Sequence, residues 1–248
     1  MLAIIGGSGL SQLSNMEVRR RKAMRTPYGE PSGALSLGAI AGREVLFLAR
    51  HGYGHTIPPH RVNYRANLWS LAAEGVTAVV SVASVGGIRA DLLPGVIAVP
   101  AQIIDYTHGR RSTFFDGDDQ RVNHVDFTEP YDRALRQRCI EAARAAGEAV
   151  VEGGVYAATQ GPRLETAAEI DRLERDGAHM VGMTGMPEAA LARELGLPYA
   201  AIAVVANTAA GRGASVQGVH MEDINRVLQE AMGRVRRILE KLAQSHGG

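Results

Sequence analysis

Leu2-Ala-Ile-Ile-Gly-Gly-Ser-Gly9 decides how this chain folds. Four apolar residues run without alternation and stop at three glycines around one serine. An unbroken apolar run suits a strand covered on both faces, and such strands belong to parallel or mixed α/β sheets. The pattern recurs outward along the chain. Val45-Leu-Phe-Leu-Ala49 stops at Arg50-His51-Gly52, and Thr77-Ala-Val-Val-Ser-Val82 leads to Gly86-Gly87. Residues 96–104, 150–159 and 199–206 read alike. Between these runs, apolar residues recur at helical spacing over 63–74, 131–146, 166–175, 188–195 and 221–243. Residues 105–129, rich in Gly, Asp, His and Thr and without a period, read as one long ordered loop, a kind that often carries function. No Pro/Ser-rich linker, low-complexity tract or internal repeat divides the chain, so one domain over 1–248 is expected.

Composition excludes several classes. With 248 residues, 46% of them hydrophobic, one large core is within reach. Lys plus Arg number 27 against 26 Asp plus Glu, a net charge of +1. Neither a nucleic acid nor an anionic membrane is therefore the expected partner, and any bound anion must be met by a local cluster. The one cysteine, Cys139, excludes an internal disulfide framework and fits a reducing, cytoplasmic compartment. The chain enters a strand-like run at once, so no signal peptide is expected. No apolar run approaches the roughly 20 residues that cross a bilayer.

Ligands in open α/β sheets gather beyond the carboxyl ends of strands, and three polar clusters sit there. In Gly6-Gly-Ser-Gly9, backbone N–H groups and the Ser8 hydroxyl can donate to an anion. The same pattern also serves as a tight turn or a dinucleotide loop. The dinucleotide version needs a helix next, whereas Leu10-Ser-Gln-Leu-Ser-Asn15 and the basic run Arg19-Arg-Arg-Lys22 follow here. In the second cluster, Arg50 can grip a phosphate through two parallel hydrogen bonds and His51 can add a third donor, with His55 close behind. The alternative is an arginine paired to a surface carboxylate beside a solvent-facing histidine. The third is Gly182-Met-Thr-Gly-Met-Pro-Glu188, whose polar turn either binds a ligand through Thr184 or simply starts a helix.

Taken in order, Ile4-Ile-Gly-Gly-Ser-Gly-Leu10, Leu48-Ala-Arg-His-Gly52, Val62-Asn-Tyr-Arg-Ala-Asn67, Gly161-Pro-Arg163, Gly182-Met-Thr184 and Met186-Pro-Glu-Ala189 resemble the methylthioadenosine phosphorylase branch of the trimeric purine nucleoside phosphorylases. The resemblance is colinear and runs almost from end to end. It implies one α/β domain around a mixed, partly barrel-like sheet flanked by helices, a homotrimer with sites near subunit contacts, and no metal or organic cofactor, inorganic phosphate being a co-substrate. It implies phosphate ligands at Ser8, Arg50, His51 and Thr184, with Met183 beneath the ribose. Relatives usually carry Thr or Asn and then Ala where this chain has Ala83-Ser84, so a side-chain contact from position 83 is lost and Ser84 becomes the candidate. Leu164, Thr208 and Ala209 are further expected substrate contacts.

Two positions bear on the base. Enzymes of this family that take 6-aminopurines resemble one another in an Asp where this chain has Asn207. An ionised Asp only accepts hydrogen bonds, whereas Asn can donate to a 6-oxygen and accept from a protonated N7. The 6-oxopurine enzymes of the superfamily resemble this chain in carrying Glu at position 165, whose carboxylate accepts the N1–H of hypoxanthine. A mismatched base leaves buried polar groups unpaired, and such sites discriminate by about 10⁴. At the 5′ end of the sugar the resemblance places Met221, which suits a methylthio group or is an ordinary core residue opening the last helix, while a one-residue shift would bring His220 there for an ordinary riboside. The expected reaction is phosphorolysis of a 6-oxopurine nucleoside, foremost methylthioinosine, to hypoxanthine and 5-methylthioribose 1-phosphate. The rivals are a general inosine and guanosine phosphorylase, then a methylthioadenosine phosphorylase, and from another class a nucleotide- or NAD-binding module.

Overall fold

The computed structural model describes residues 1–117 and 121–246. The strands in chain order are β1 Leu2–Gly6, β2 Glu17–Lys22, β3 Leu35–Ile40, β4 Arg43–Ala49, β5 Ala78–Gly87, β6 Ile97–Val99, β7 Gln102–Asp105, β8 Val151–Glu152, β9 Val155–Ala158, β10 Met180–Gly182 and β11 Tyr199–Thr208. The helices are α1 Tyr64–Ala73, α2 Arg133–Ala145, α3 Ala167–Arg175, α4 Glu188–Glu194 and α5 Met221–Ser245.

Among the described residues, all eleven strands join one mixed sheet. Its main path runs β2-β3-β4-β1-β5-β10-β9-β7, and it forks at β5, where β11 pairs along the other edge and leads on to β6 and β8. β1 lies parallel to β4 and β5, β5 parallel to β11, and β10 antiparallel to β5. The sheet branches, with β2, β7 and β8 each pairing on one side.

Both faces are covered, which is why the strands read as continuous apolar runs. Leu2 and Ile4 of β1 join Val80, Val82, Ile202 and Val204 in a core with α2 and α5, through Leu135, Leu228, Val235 and Leu239. The intervening Ala3 and Ile5 join Val79, Ala201 and Ala203 on the other face with α1 and α4, through Leu68, Leu71 and Leu191. Each of the first three helices begins at a side-chain cap. Asn63, Asp132 and Thr166 accept from backbone N–H groups of Ala66, Leu135 and Glu169, and Glu169 returns the bond in a capping box.

The structure departs from the sequence reading at several places. The run over 96–104 breaks at Pro100, which has no N–H for a ladder. The run over 150–159 breaks at Gly153 and Gly154, both in the left-handed region (φ 86° and 97°). The basic run 17–22 is an edge strand, β2, whose exposed charges hide the strand signal and discourage pairing with other chains. β3 and β10 are further strands that the periodicity did not single out. After Gly9 the chain passes through turns into β2 with no helix, so the dinucleotide reading of the first loop fails. Residues 106–132 hold no helix or strand among the described residues, as expected for the long loop, of which 118–120 lie outside the description. Among the described residues no helix is long and apolar enough to cross a membrane.

Candidate active site

Beyond the carboxyl ends of β1, β4 and β11, and along the second half of β5, the strands leave a cavity of about 630 Å³. Ser8, Arg50, His51, Ser84, Leu164, Glu165, Met183, Thr184, Asn207, Ala209 and Met221 all line it, drawn from seven separate stretches of chain. The first loop lies against the wall so closely that a Cβ on Gly7 would sit 2.5 Å from Val82 O and 2.8 Å from Arg50 Nη1. That close approach, more than turn conformation, requires the glycine.

Arg50 follows β4 and is 1% exposed. Its Nε and Nη2 donate to the two oxygens of Glu188 at 2.7 and 2.8 Å, and Nη1 donates to Val82 O at 3.0 Å. Glu188 opens α4 and is fully buried. Tyr199 Oη lies 2.8 Å from both Glu188 Oε1 and Ser81 Oγ. A carboxylate only accepts, so the tyrosine proton goes to Glu188 and Ser81 donates in return. Burial opposes the charge on Arg50, but the Glu188 carboxylate outweighs it and holds the guanidinium firmly protonated. This corrects the sequence reading twice. The arginine does pair with a carboxylate, but a buried one. Its two-pronged edge faces Glu188 and not an open anion site, leaving one N–H on each terminal nitrogen. Glu188 itself, which the sequence reading placed only at the end of a polar turn that starts a helix, gives its carboxylate to Arg50 and Tyr199.

His51 also differs from expectation. Its Nδ1 lies 2.8 Å from Ile57 O, and a carbonyl only accepts, so Nδ1 carries the proton. Burial first, and then the Arg50 charge, press its pKa down to about 4. The ring is therefore neutral and its Nε2 is an acceptor, whereas the sequence reading gave it a donor's role. His55, noted in sequence without a role, lines the same cavity. Its backbone is left-handed (φ 51°), its ring centroid lies 4.8 Å from that of His51, and its Nε2 lies 3.5 Å from Ser8 Oγ. Four-residue spacing from His51 was the only sequence signal for it.

Glu165 precedes α3 and accepts from Thr159 Oγ1 at 2.7 Å. Asn207 lies just past a bulge that shifts the β11–β5 register between Val205 and Asn207. Its Nδ2 donates to Thr208 O at 2.7 Å, which leaves one N–H and the amide oxygen. Thr208, expected at the substrate, does not line the cavity. Its hydroxyl pairs with Ser215 Oγ at 2.9 Å, because successive strand residues point to opposite faces. Met221 is the first residue of α5 and 59% exposed, so it is not the core residue that a helix start could have held. It lines the cavity with Val219, Ile224 and Leu228, and the neighbouring His220 does not. Among the described residues no group of three or more His, Cys, Asp or Glu is arranged to hold a metal.

This chain, with a mixed sheet carrying the cluster at its strand ends, belongs to the phosphorylase superfamily, whose family model matches residues 1–244. Within that family, a probable S-methyl-5′-thioinosine phosphorylase of Pseudomonas syringae pv. tomato is 53% identical over 240 residues, covering 97% of both chains. The 6-oxopurine nucleoside phosphorylase of Pyrococcus furiosus is 46% identical over 215 residues, covering 85% of this chain and 80% of that one. Among solved structures, methylthioadenosine phosphorylase from Schistosoma mansoni in complex with adenine superposes with a TM-score of 0.94 at 32% identity, covering 98% of this chain and 90% of that one.

Proposed function

We propose that this protein catalyses phosphorolysis of a 6-oxopurine nucleoside, S-methyl-5′-thioinosine foremost, releasing hypoxanthine and 5-methylthioribose 1-phosphate. The observation that carries this reading is the meeting of three chemically distinct groups in one cavity. Ser8, Arg50, Ser84 and Thr184 supply donors for phosphate, Glu165 and Asn207 supply the pattern for a 6-oxopurine, and Met221 with Val219, Ile224 and Leu228 supplies an apolar wall. Relatives named for methylthioinosine and for 6-oxopurine nucleosides support the same choice.

In this mechanism the C1′–N9 bond lengthens first. Its electron pair moves into the purine, and a proton taken from solvent neutralises N7. The remaining Asn207 N–H donates to O6 and its amide oxygen accepts from N7–H, while Glu165 accepts from N1–H. Phosphate, held beneath the ribose beside Met183, stabilises the cationic sugar and then bonds to C1′. Rate enhancement comes from positioning and preorganised charge, without a covalent enzyme intermediate. The phosphate is a co-substrate, and no organic cofactor or metal has a role. Leu164 and Ala209 flank the base. A homotrimer in the cytoplasm completes the proposal.

A reading in which ordinary ribosides are preferred draws support from the relative in Pyrococcus furiosus. The presence of Met221 in the cavity, without His220, favours the methylthio group. Base release from methylthioinosine, inosine, methylthioadenosine and adenosine, each with and without phosphate, separates the readings. Release without phosphate, or preference for the 6-amino bases, overturns the proposal.

A further inference from the structure

Strand-end carbonyl groups need donors once a ladder stops. β9 and β10 run parallel, and just beyond them Thr159 N–H still reaches Gly182 O at 2.8 Å. Past that point Arg110, from the long loop, bridges the two segments. Its Nη2 donates to Gln160 O at 2.8 Å and Thr159 O at 3.2 Å. Its Nη1 donates to Met186 O at 2.6 Å and Met183 O at 2.8 Å, with Tyr64 Oη at 3.2 Å. Its Nε donates to the Gln160 side chain at 3.1 Å, and the guanidinium lies 5.5 Å from the Tyr64 ring centroid. All five N–H groups of the fork therefore have acceptors.

The two bridged segments carry different parts of the site. One runs on to Glu165 and the other holds Met183 and Thr184. They also press together directly, since a Cβ on Gly161 would lie 2.4 Å from Met183 Sδ. Arg110 does not line the cavity. The geometry points to Arg110 as a positioning residue that sets the spacing between the base-facing Glu165 segment and the phosphate-facing Thr184 segment. This rests on the roles proposed above for those two residues. Lysine cannot replace it, because three hydrogens on one nitrogen do not satisfy the carbonyls of Thr159, Gln160, Met183 and Met186, which two guanidinium nitrogens share here.

Arg110→Lys and Arg110→Ala test this. The readouts are the phosphate KM, the ratio of kcat/KM for methylthioinosine over methylthioadenosine, and amide hydrogen exchange over 159–165 and 182–187. Partial unfolding lowers the active fraction and leaves KM and the ratio unchanged. Misplacement by about 1 Å lowers kcat/KM by about 100-fold. The expected result in both variants is a ratio lowered by about tenfold or more, a raised phosphate KM and faster exchange in both segments. Methylguanidine added to Arg110→Ala is expected to restore part of the ratio. A lysine variant with parental ratio, KM and exchange overturns the inference. So does faster exchange with the ratio and KM intact, which would make Arg110 a stabiliser only. Should the parent protein itself show no preference for 6-oxopurines, the proposed function falls, and the phosphate KM of Arg110→Lys, read together with its exchange, decides the clamp.

Discussion

Glu188→Gln tests the buried pair that holds Arg50. Three donors converge on the Glu188 carboxylate: Arg50 Nε, Arg50 Nη2 and Tyr199 Oη, at 2.7, 2.8 and 2.8 Å. Glutamine keeps the volume but offers one acceptor oxygen, so its NH₂ faces at least one donor. The guanidinium stays buried without a countercharge. Breaking a buried pair this way costs about 3–5 kcal/mol, a large part of a typical total of about 5–15 kcal/mol. For a chain of this size each kcal/mol moves Tm by about 2–4 °C, so the variant should melt about 6–20 °C below its parent. Calorimetry with and without phosphate measures this, alongside the phosphate KM. Phosphate should raise the Tm of the variant more than that of the parent, because it brings a negative charge to a cavity that Arg50 lines. An Arg50→Met, Glu188→Leu double variant should regain stability while losing phosphorolysis. A Glu188→Gln protein that melts within about 2 °C of the parent, with its phosphate KM unchanged, would refute the assignment of the pair.

Asn207→Asp should lower kcat/KM for methylthioinosine by about tenfold or more and admit adenine nucleosides, since a carboxylate cannot donate to O6. Parallel base-release assays on the purified variant check this, and an unchanged preference removes base selection from that residue. Gly7→Ala should raise the phosphate KM and cost about 1–3 kcal/mol, because the new Cβ meets Val82 O, a backbone atom, at 2.5 Å. A variant with parental Tm and kinetics would mean that the first loop lies less close to Arg50. The His51 ring should titrate by NMR near pH 4 in the free enzyme. Its folded pKa lies below the unfolded value of about 6.5, so between those pH values the unfolded chain binds a proton that the folded chain refuses. Stability is therefore lost as pH falls from about 6.5 to about 4, and His51→Gln should flatten that part of the denaturation profile.

The sequence made much of the frame legible. Apolar runs marked β1, β4, β5 and β11 because both faces of these strands are buried, and helical spacing located α1 through α5 to within a few residues. Local caps at Asn63, Asp132 and Thr166 fixed where three helices begin. Strand signals failed where a local residue cut a run, at Pro100 and at Gly153-Gly154, or where charge masked an edge strand, as in β2. The resemblance gathered the right stretches of chain, and all its expected site residues but Thr208 line one cavity. The bulge beside Asn207 and the alternation of β11 sent Thr208 to the other face.

By itself, then, the sequence determined the strand-and-helix order, the polar clusters at strand ends and the near-zero net charge that leaves anion binding to a local site. These depend on spacing within one segment. Tertiary structure alone decided the partners. Arg50 meets Glu188 across 138 residues, the His51 proton is set by Ile57 O, and Arg110 reaches backbone carbonyls 49 to 76 residues away. Hydrogen bonding acts over about 3 Å, and which groups come that close is a property of packing, not of sequence period.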